Sequence, residues 1–460
     1  MKKEQLGYRT VFRSPLASIF YRGGTVHGLR NIHFWKFTLL ILLSFSLSLT
    51  VTAQIEKSKS VEKTFYLGKE GSVGVDHRYG LLKVTQSSDD KVHLNARLRI
   101  EGTNEGDIQR ALEQFEVDIN EFGNRIMIET ELSIKNWNTR NGRTNLTFKN
   151  GLKVKGLKKI TVEMLLAVPD LKSLALKNKY EDIIIDHDFK GNVDIEIYDG
   201  DLNANNITGE LELEVKYGKA ILKDIGDGDL TLYDSEMEMG NGKVVQIASK
   251  YSEYTIGDTE SLEIDAYDDK FELGNIKGRL EIKDKYSKIE LGNFGEADLD
   301  IYDADLKGQK GGDLTIQGSK YSKYRFGELT SLAIDESYDD EFILKNMKDV
   351  TINRTKYTEF SIGELSGELK VTSSHDDKFK VEALTNLIIK ESKYTEFEVE
   401  ELSGQVDLLD SHDDKLEVQT VEKGFKGLKM NGKYSNIYIC LLYTSPSPRD
   451  ATLSRMPSSA

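Results

Sequence analysis

The chain has 460 residues and a formal net charge of -15, with 62 basic against 77 acidic side chains. No extended basic surface is available to neutralise a polyanion, so nucleic acid is not an expected partner. The single cysteine, Cys440, excludes a disulfide framework within the chain and a lipid-modified cysteine behind an N-terminal signal.

Residues 1–36 are rich in Lys and Arg and nearly free of acids. They are followed by the apolar run FTLLILLSFSLSLTVTA from Phe37 to Ala53, with small residues at Val51 and Ala53. This is the pattern of an export signal with a long n-region, cut before Gln54. An uncleaved anchor is the alternative, although about 17 apolar residues are short for a spanning helix. The expected location is therefore outside the cytoplasm: cell surface, outer membrane-associated or periplasmic. Membrane contact is expected only through this segment, if it stays uncleaved. At the other end Pro446, Pro448 and Pro457 fall within the last fifteen residues, and 441–460 loses the pattern that precedes it. That tail resembles sequencing-adapter read-through, so a native continuation beyond Ile439 is expected.

Residues 54–170 are less regular than the remainder of the chain up to 440. GDIQRALEQF places Ile108, Ala111, Leu112 and Phe115 at helical spacing, and FEVDINEFGNRIMIETEL reads as a hairpin with Gly123 in its turn. RYGLLKVTQSSDDKVHL, with Arg78, Tyr79, Gly80, Asp89, Asp90 and Lys91, already echoes two motifs that recur downstream. The region is expected to be a small α+β cap. Trp137, in the polar stretch KNWNTRNGRTN, is either a capping residue or an exposed ring that touches a glycan.

From 171 to 440 the chain repeats itself. A Lys-Tyr pair recurs at Tyr180, Tyr217, Tyr251, Tyr286, Tyr321, Tyr357, Tyr394 and Tyr434. Midway between them falls a Tyr-Asp or His-Asp pair, at Asp199, Asp234, Asp268, Asp303, Asp339, Asp376 and Asp413. The unit is thus about 18 residues in two alternating flavours. Within a unit apolar and polar residues alternate, as in Leu369, Val371, Phe379 and Val381, which are matched 18 residues later by Leu387, Ile389, Phe397 and Val399. This is the period of a half-buried strand. One buried face per strand cannot close a core alone, so the units must stack. No proline lies between Pro169 and Pro446, as expected of interior strands that donate to both neighbours. The expected fold is all-β: a right-handed parallel β-helix with about 18 residues per rung and a rod length on the order of 70 Å. An antiparallel meander of hairpins is the alternative, but it would need tight-turn dipeptides that are scarce here.

The order VDHRYGLLKVTQSSDDKVHLNARLRIEG (75–102), a helix and hairpin, KKITVEMLLAVPDLKSLALKNKYEDIIID (158–186), then rungs such as GELELEVKYGKAILKDIGDGDLTL (209–232) resembles the exported β-strand-repeat proteins of Bacteroidetes grouped as DUF4097-like putative adhesins. The resemblance spans most of residues 55–440. It implies a β-helix shape and an adhesin-like role, and it carries no catalytic signature. Where those relatives commonly carry Asn-Gly or Ser-Gly-Asp at the bend, this chain has Lys-Tyr-Ser and Tyr-Asp-Asp.

If the units stack in register, the motifs form two columns. One reads Lys250, Tyr267, Lys285, Tyr302, Lys320, Tyr338, Lys356, His375, Lys393, His412. Beside it run Tyr251, Asp268, Tyr286, Asp303, Tyr321, Asp339, Tyr357, Asp376, Tyr394, Asp413. The alternation avoids stacking like charges about 4.8 Å apart, so a purely structural ladder is one reading. A surface that binds a glycan or a cell-surface protein is the functional one, with a periplasmic envelope component that binds a protein partner as its alternative. A metal site shared by His375 and His412 is disfavoured because the Lys393 rung would hold them roughly 9 to 10 Å apart. Calcium held by Asp376, Asp377 and neighbouring bends would lack the spaced Asp/Asn loop of a calcium motif. A polysaccharide-active β-helix enzyme would draw on Asp268, Asp303, Asp339, Asp376 and Asp413, but repeat spacings this uniform leave no long loops to shape a cleft. The expectation is a non-enzymatic protein without cofactor or metal that binds through this face.

Overall fold

The computed structural model describes residues 54–440. The export signal expected at 1–53 and the foreign tail expected at 441–460 lie outside the described residues. The described chain is nearly all strand with one helix, and its parallel strands stack into a β-solenoid of about 15 turns with about 18 residues per turn. Each rung pairs with the next at a sequence offset close to the repeat, as in Val193↔Leu211, Leu344↔Ile362 and Ile362↔Val381. Every strand pairing from Ser173 to Ile439 is parallel, so the hairpin meander does not form there.

Alternation places the core where the sequence pattern puts it. Leu369, Val371, Phe379, Val381, Leu387 and Ile389 are all buried inside the coil. One interior column is aromatic: Tyr324, Phe342, Phe360, Phe379 and Phe397 stack nearly parallel, with centroids 4.6–4.9 Å apart. That spacing is the strand separation itself, so identical rings in register pack face against offset face with no loss of backbone pairing.

At the N-terminal end, chain order and spatial order part company. The strands Ser72–Arg78 and Gly80–Gln86 pair in parallel with Ser173–Lys179 and Ile183–Ile185. On their other side they meet Arg125–Leu132 and Lys153–Val168. An antiparallel set, Ile55–Tyr66, Lys91–Gly102 and Lys153–Val168, covers this end. The helix Glu105–Glu113 starts at Asn104, whose side chain accepts the Asp107 N–H at 3.0 Å, and it buries Ile108, Ala111 and Leu112. Phe115, which the helical spacing assigns to that same face, instead opens the strand Phe115–Phe122 and is buried there. Its hairpin partner is Arg125–Leu132, with Gly123 in the turn at φ 60°.

Candidate functional site

The repeated motifs sit where each rung turns. Nine tyrosines (79, 180, 217, 251, 286, 321, 357, 394 and 434) and seven aspartates (199, 234, 268, 303, 339, 376 and 413) occupy the left-handed backbone region, with φ between 49° and 73°. Asp tolerates this conformation because its short polar side chain bonds locally, whereas Tyr does so at a cost of roughly 1–2 kcal/mol. The bend amides remain in the ladder: Tyr357 N–H donates to the His375 carbonyl at 3.1 Å and Asp376 N–H to the Lys393 carbonyl at 3.0 Å. Each turn is therefore reproduced by its neighbours above and below.

The geometry separates the two carboxylates of each Asp-Asp pair. Asp376 is the bend residue, with its side chain about one-third exposed, while Asp377 is buried. The Asp377 carboxylate accepts from Thr358 N–H at 2.8 Å, His375 N–H at 2.9 Å and the Ser374 hydroxyl at 2.6 Å. Asp340 repeats the pattern with Ser322 N–H, Tyr338 N–H and the Ser337 hydroxyl. Asp414 does so with Thr395 N–H, His412 N–H and Ser411. Burial pushes Asp377 up to about 6, against the donors that favour its charged form. Asp284, which is not part of such a pair but faces inward two residues before the bend Tyr286, is pushed up to about 6 by the same cause. The second aspartate of each pair thus serves the backbone of the bend and does not face a substrate.

On the outside, the register runs Lys250↔Tyr267↔Lys285↔Tyr302↔Lys320↔Tyr338↔Lys356↔His375↔Lys393↔His412. The neighbouring column alternates Tyr251, Asp268, Tyr286, Asp303, Tyr321, Asp339, Tyr357, Asp376, Tyr394 and Asp413, as the bend hydrogen bonds show. The rings, however, do not stay in two columns. The left-handed bend residue swings its side chain back across its neighbour, so that Tyr251, Tyr267, Tyr286, Tyr302, Tyr321, Tyr338, Tyr357, His375, Tyr394 and His412 interleave into one file.

The file extends beyond the two columns drawn from sequence. It begins at Trp137 and Tyr79, continues through Tyr180, Tyr198, Tyr217 and Tyr233, and ends at Tyr434: seventeen rings with centroids 5.3–6.4 Å apart. The Lys-Tyr and Tyr-Asp pairs at 179–180, 198–199, 216–217 and 233–234 carried the signal for the missed members. Beyond Tyr180 successive rings meet edge to face, with interplanar angles of 69–87°. The lysines lie over ring faces, Lys320 at 4.8 Å from the centroid of Tyr321 and 4.9 Å from that of Tyr338, Lys356 at 4.6 Å from Tyr357 and Lys393 at 4.8 Å from Tyr394. The bend tyrosines from 180 to 394 keep 41–47% of their surface exposed.

His375 and His412 are aromatic members of this file. His375 packs between Tyr357 and Tyr394, with Lys356 and Lys393 on the adjoining rungs. The Asp376 carboxylate lies 2.6 Å from His375 Nδ1, off the direction of a ring N–H, and Asp413 sits at 2.8 Å from His412 Nδ1 in the same manner. The Lys393 rung separates the two histidines, so they do not converge on one ion. Among the described residues no three His, Cys, Asp or Glu side chains gather to hold a metal. The exposed aspartates 268, 303, 339, 376 and 413 are likewise each separated from the next by a tyrosine-bearing bend. A furrow of about 420 Å³ adjoins the bends at Asp234 and Tyr251, and two others lie on another side of the coil. One of about 850 Å³ is lined by residues such as Gln309, Arg325 and Gly327, and one of about 560 Å³ by Lys345, Gly363, Glu382 and Glu400.

No protein-family model and no curated protein matches the chain. Among solved structures, it is similar to a putative adhesin from Bacteroides fragilis at 14% identity, covering 58% of this chain and 96% of that one, with a TM-score of 0.24. A putative adhesin from Parabacteroides merdae matches at 16% identity over 73% and 95% of the two chains, with a TM-score of 0.20. A putative cell adhesion protein from Clostridium sporogenes matches at 11% identity over 64% and 100%, with a TM-score of 0.17. Likeness at these scores carries no functional argument, and the solenoid assignment rests on the strand register described above.

Proposed function

We propose that the protein is an exported, non-enzymatic, adhesin-like rod of the cell envelope that binds an extended partner along its aromatic file. The observation that carries this reading is the choice of tyrosine at nine left-handed bends. Glycine or asparagine would adopt that backbone at lower cost. An edge-to-face ring pair returns only about 0.5–1.5 kcal/mol, comparable with the roughly 1–2 kcal/mol of backbone strain. The fold therefore gains little from these rings on balance, and strain retained at a repeated exposed position is a signature of use.

The partner class is a glycan, because phenol, ammonium and carboxylate groups arrayed along one exposed line suit a polyhydroxyl polymer better than a small molecule, which needs a concave pocket. Replacing Tyr321, Tyr357 and Tyr394 together by Ala is expected to abolish retention on a polysaccharide array while the circular dichroism spectrum is kept. Undiminished retention by this variant would refute the reading. Release of reducing ends from a bound polysaccharide, lost in Asp339→Asn, would replace it with an enzymatic one.

A further inference from the structure

The arrangement of the file narrows the partner further, and this step rests on the glycan-binding reading above. Rings whose centroids are 5.3–6.4 Å apart leave no gap for a sugar ring between them. Lysine ammoniums already lie over the faces of Tyr321, Tyr338, Tyr357 and Tyr394. Flat stacking of sugars on tyrosine faces, the usual mode of an aromatic platform, is thus blocked along this stretch. What the rod offers a partner is a rim of ring edges and phenol groups, with Lys on one rung and Asp on the next.

Two periods are built into that rim. One ring per rung gives a step of about 4.8 Å, and the Lys–Asp alternation repeats every two rungs, about 9.6 Å. Along the candidate stretch five lysines (250, 285, 320, 356 and 393) face five aspartates (268, 303, 339, 376 and 413), so the rim has no net charge. A polyanion would meet a repelling carboxylate for each lysine it engaged, and a polycation the reverse. A neutral chain meets neither, and its hydroxyls can donate to Asp and accept from Lys and Tyr.

We infer that the rim is a track for a linear, neutral polysaccharide in an extended, β-linked conformation, with one sugar per rung. A β-1,4-linked pyranose advances by nearly one rung, and its two-fold alternation matches the two-rung repeat. An α-1,4-linked chain coils and falls out of step.

The test is calorimetric titration of the rod with cello- and chito-oligosaccharides of two to eight sugars, and with malto-oligosaccharides of the same lengths. Affinity for at least one β-linked series should rise at least tenfold from four sugars to eight, change less than twofold between low and 0.5 M salt, and exceed that for the α-linked series at least tenfold. Tyr321→Phe, Tyr338→Phe and Tyr357→Phe combined keep the rings in file and remove the phenol groups. This variant should melt like the parent and bind eight-sugar chains at least tenfold more weakly. Equal affinity for α- and β-linked chains, independence of length, or an unaffected triple Phe variant would overturn the inference. The outcomes separate the two claims. If β-linked chains fail but array binding still disappears in the triple Ala variant, the adhesin-like reading stands and the track is wrong; if the triple Ala variant binds undiminished, both fall.

Discussion

The two halves of the solenoid bend the same repeat by different means. From Ser173 to about Ala304 the rungs are broken into short strands such as Leu202–Ala204, Lys219–Leu222 and Glu236–Met239. At one corner of these rungs a file of polar side chains caps backbone amides from one rung to the next. Asp224 N–H donates to Asn206 Oδ1 at 3.1 Å, Asn241 N–H to Asp224 at 2.8 Å, Asn275 N–H to Asp258 at 2.8 Å and Asn293 N–H to Asn275 at 3.0 Å. From Asp305 to Lys393, single strands of sixteen or seventeen residues, such as Lys323–Tyr338 and Glu359–His375, run through that corner, and from Glu396 the rungs are short strands again. The corresponding residues Lys310, Glu328, Asn346 and Glu364 now pair strand to strand, and their backbones no longer depend on a side-chain cap. The interior changes in step. A single column reads Ala220, Met237, Tyr254, Phe271 and Ile289 in the first half, then Leu306 at the changeover, then Tyr324, Phe342, Phe360, Phe379 and Phe397. Larger uniform rings inside accompany continuous strands outside, whereas the varied first half relies on side-chain hydrogen bonds.

The sharpest way to break the comparison is Phe360→Ala. It opens a cavity between two stacked rings and should cost about 3–5 kcal/mol, read as loss of hydrogen-exchange protection centred on 341–397. The volume-conserving Met237→Leu in the same column of the first half should cost less than about 1.5 kcal/mol. Next in size is Asp377→Ala, which leaves the buried Thr358 amide and the part-buried His375 amide without an acceptor. A loss of about 2–4 kcal/mol is expected from two unsatisfied donors, measured by denaturant melting.

The pH dependence tests both halves at once. Asp284 in the first half and Asp377 in the second are each raised to about 6 by burial. Their folded values lie above the unfolded one, so the folded state binds more protons between pH 3.8 and about 6. Stability should therefore rise on acidification from pH 7 to 5, by about 1 kcal/mol for each group. Asp284→Asn should remove the gain around its own rungs, and Asp377→Asn around its own, as resolved by hydrogen exchange at the two pH values. The smallest effect is that of Asn275→Ala, which frees the exposed Asn293 amide to water. About 0.5–1.5 kcal/mol is expected, and the matching Glu364→Ala in the second half should be within about 0.5 kcal/mol of neutral.

Much of this is legible in the sequence. The strand period, the 18-residue repeat and the neighbours of His375 follow from counting, because in-register stacking converts a sequence offset directly into a spatial contact. The split within each Asp-Asp pair is not, since its cause is a positive φ at the first residue, which turns the second inward. The merging of two tyrosine columns into one file has the same origin. The polar corner file is legible in principle, because Asn206, Asp224, Asn241, Asp258, Asn275 and Asn293 recur at 17 or 18 residues, but Asn and Asp at such positions look the same in any generic bend. The spatial position of 72–86 against 173–185 depends on how the intervening strands fold back, which no local pattern encodes.

The alternation of the outer file also gives the rod a parity. Lys must follow an aromatic rung, so a copy of one rung alone would place ammonium beside ammonium, while a copy of two rungs would pass unnoticed. The described residues contain one such fault. At the junction with the cap, Arg78 lies directly beside Lys179, and the two adjoining bend tyrosines, Tyr79 and Tyr180, meet nearly parallel at 16° instead of edge to face. Arg78 also has Asp76 at 3.8 Å, a counter-charge for the crowded pair. A lineage that lengthens this protein by duplication is therefore expected to add about 36 residues at a time, and an odd insertion should be recognisable by a stacked ring pair and a compensating acid at its seam.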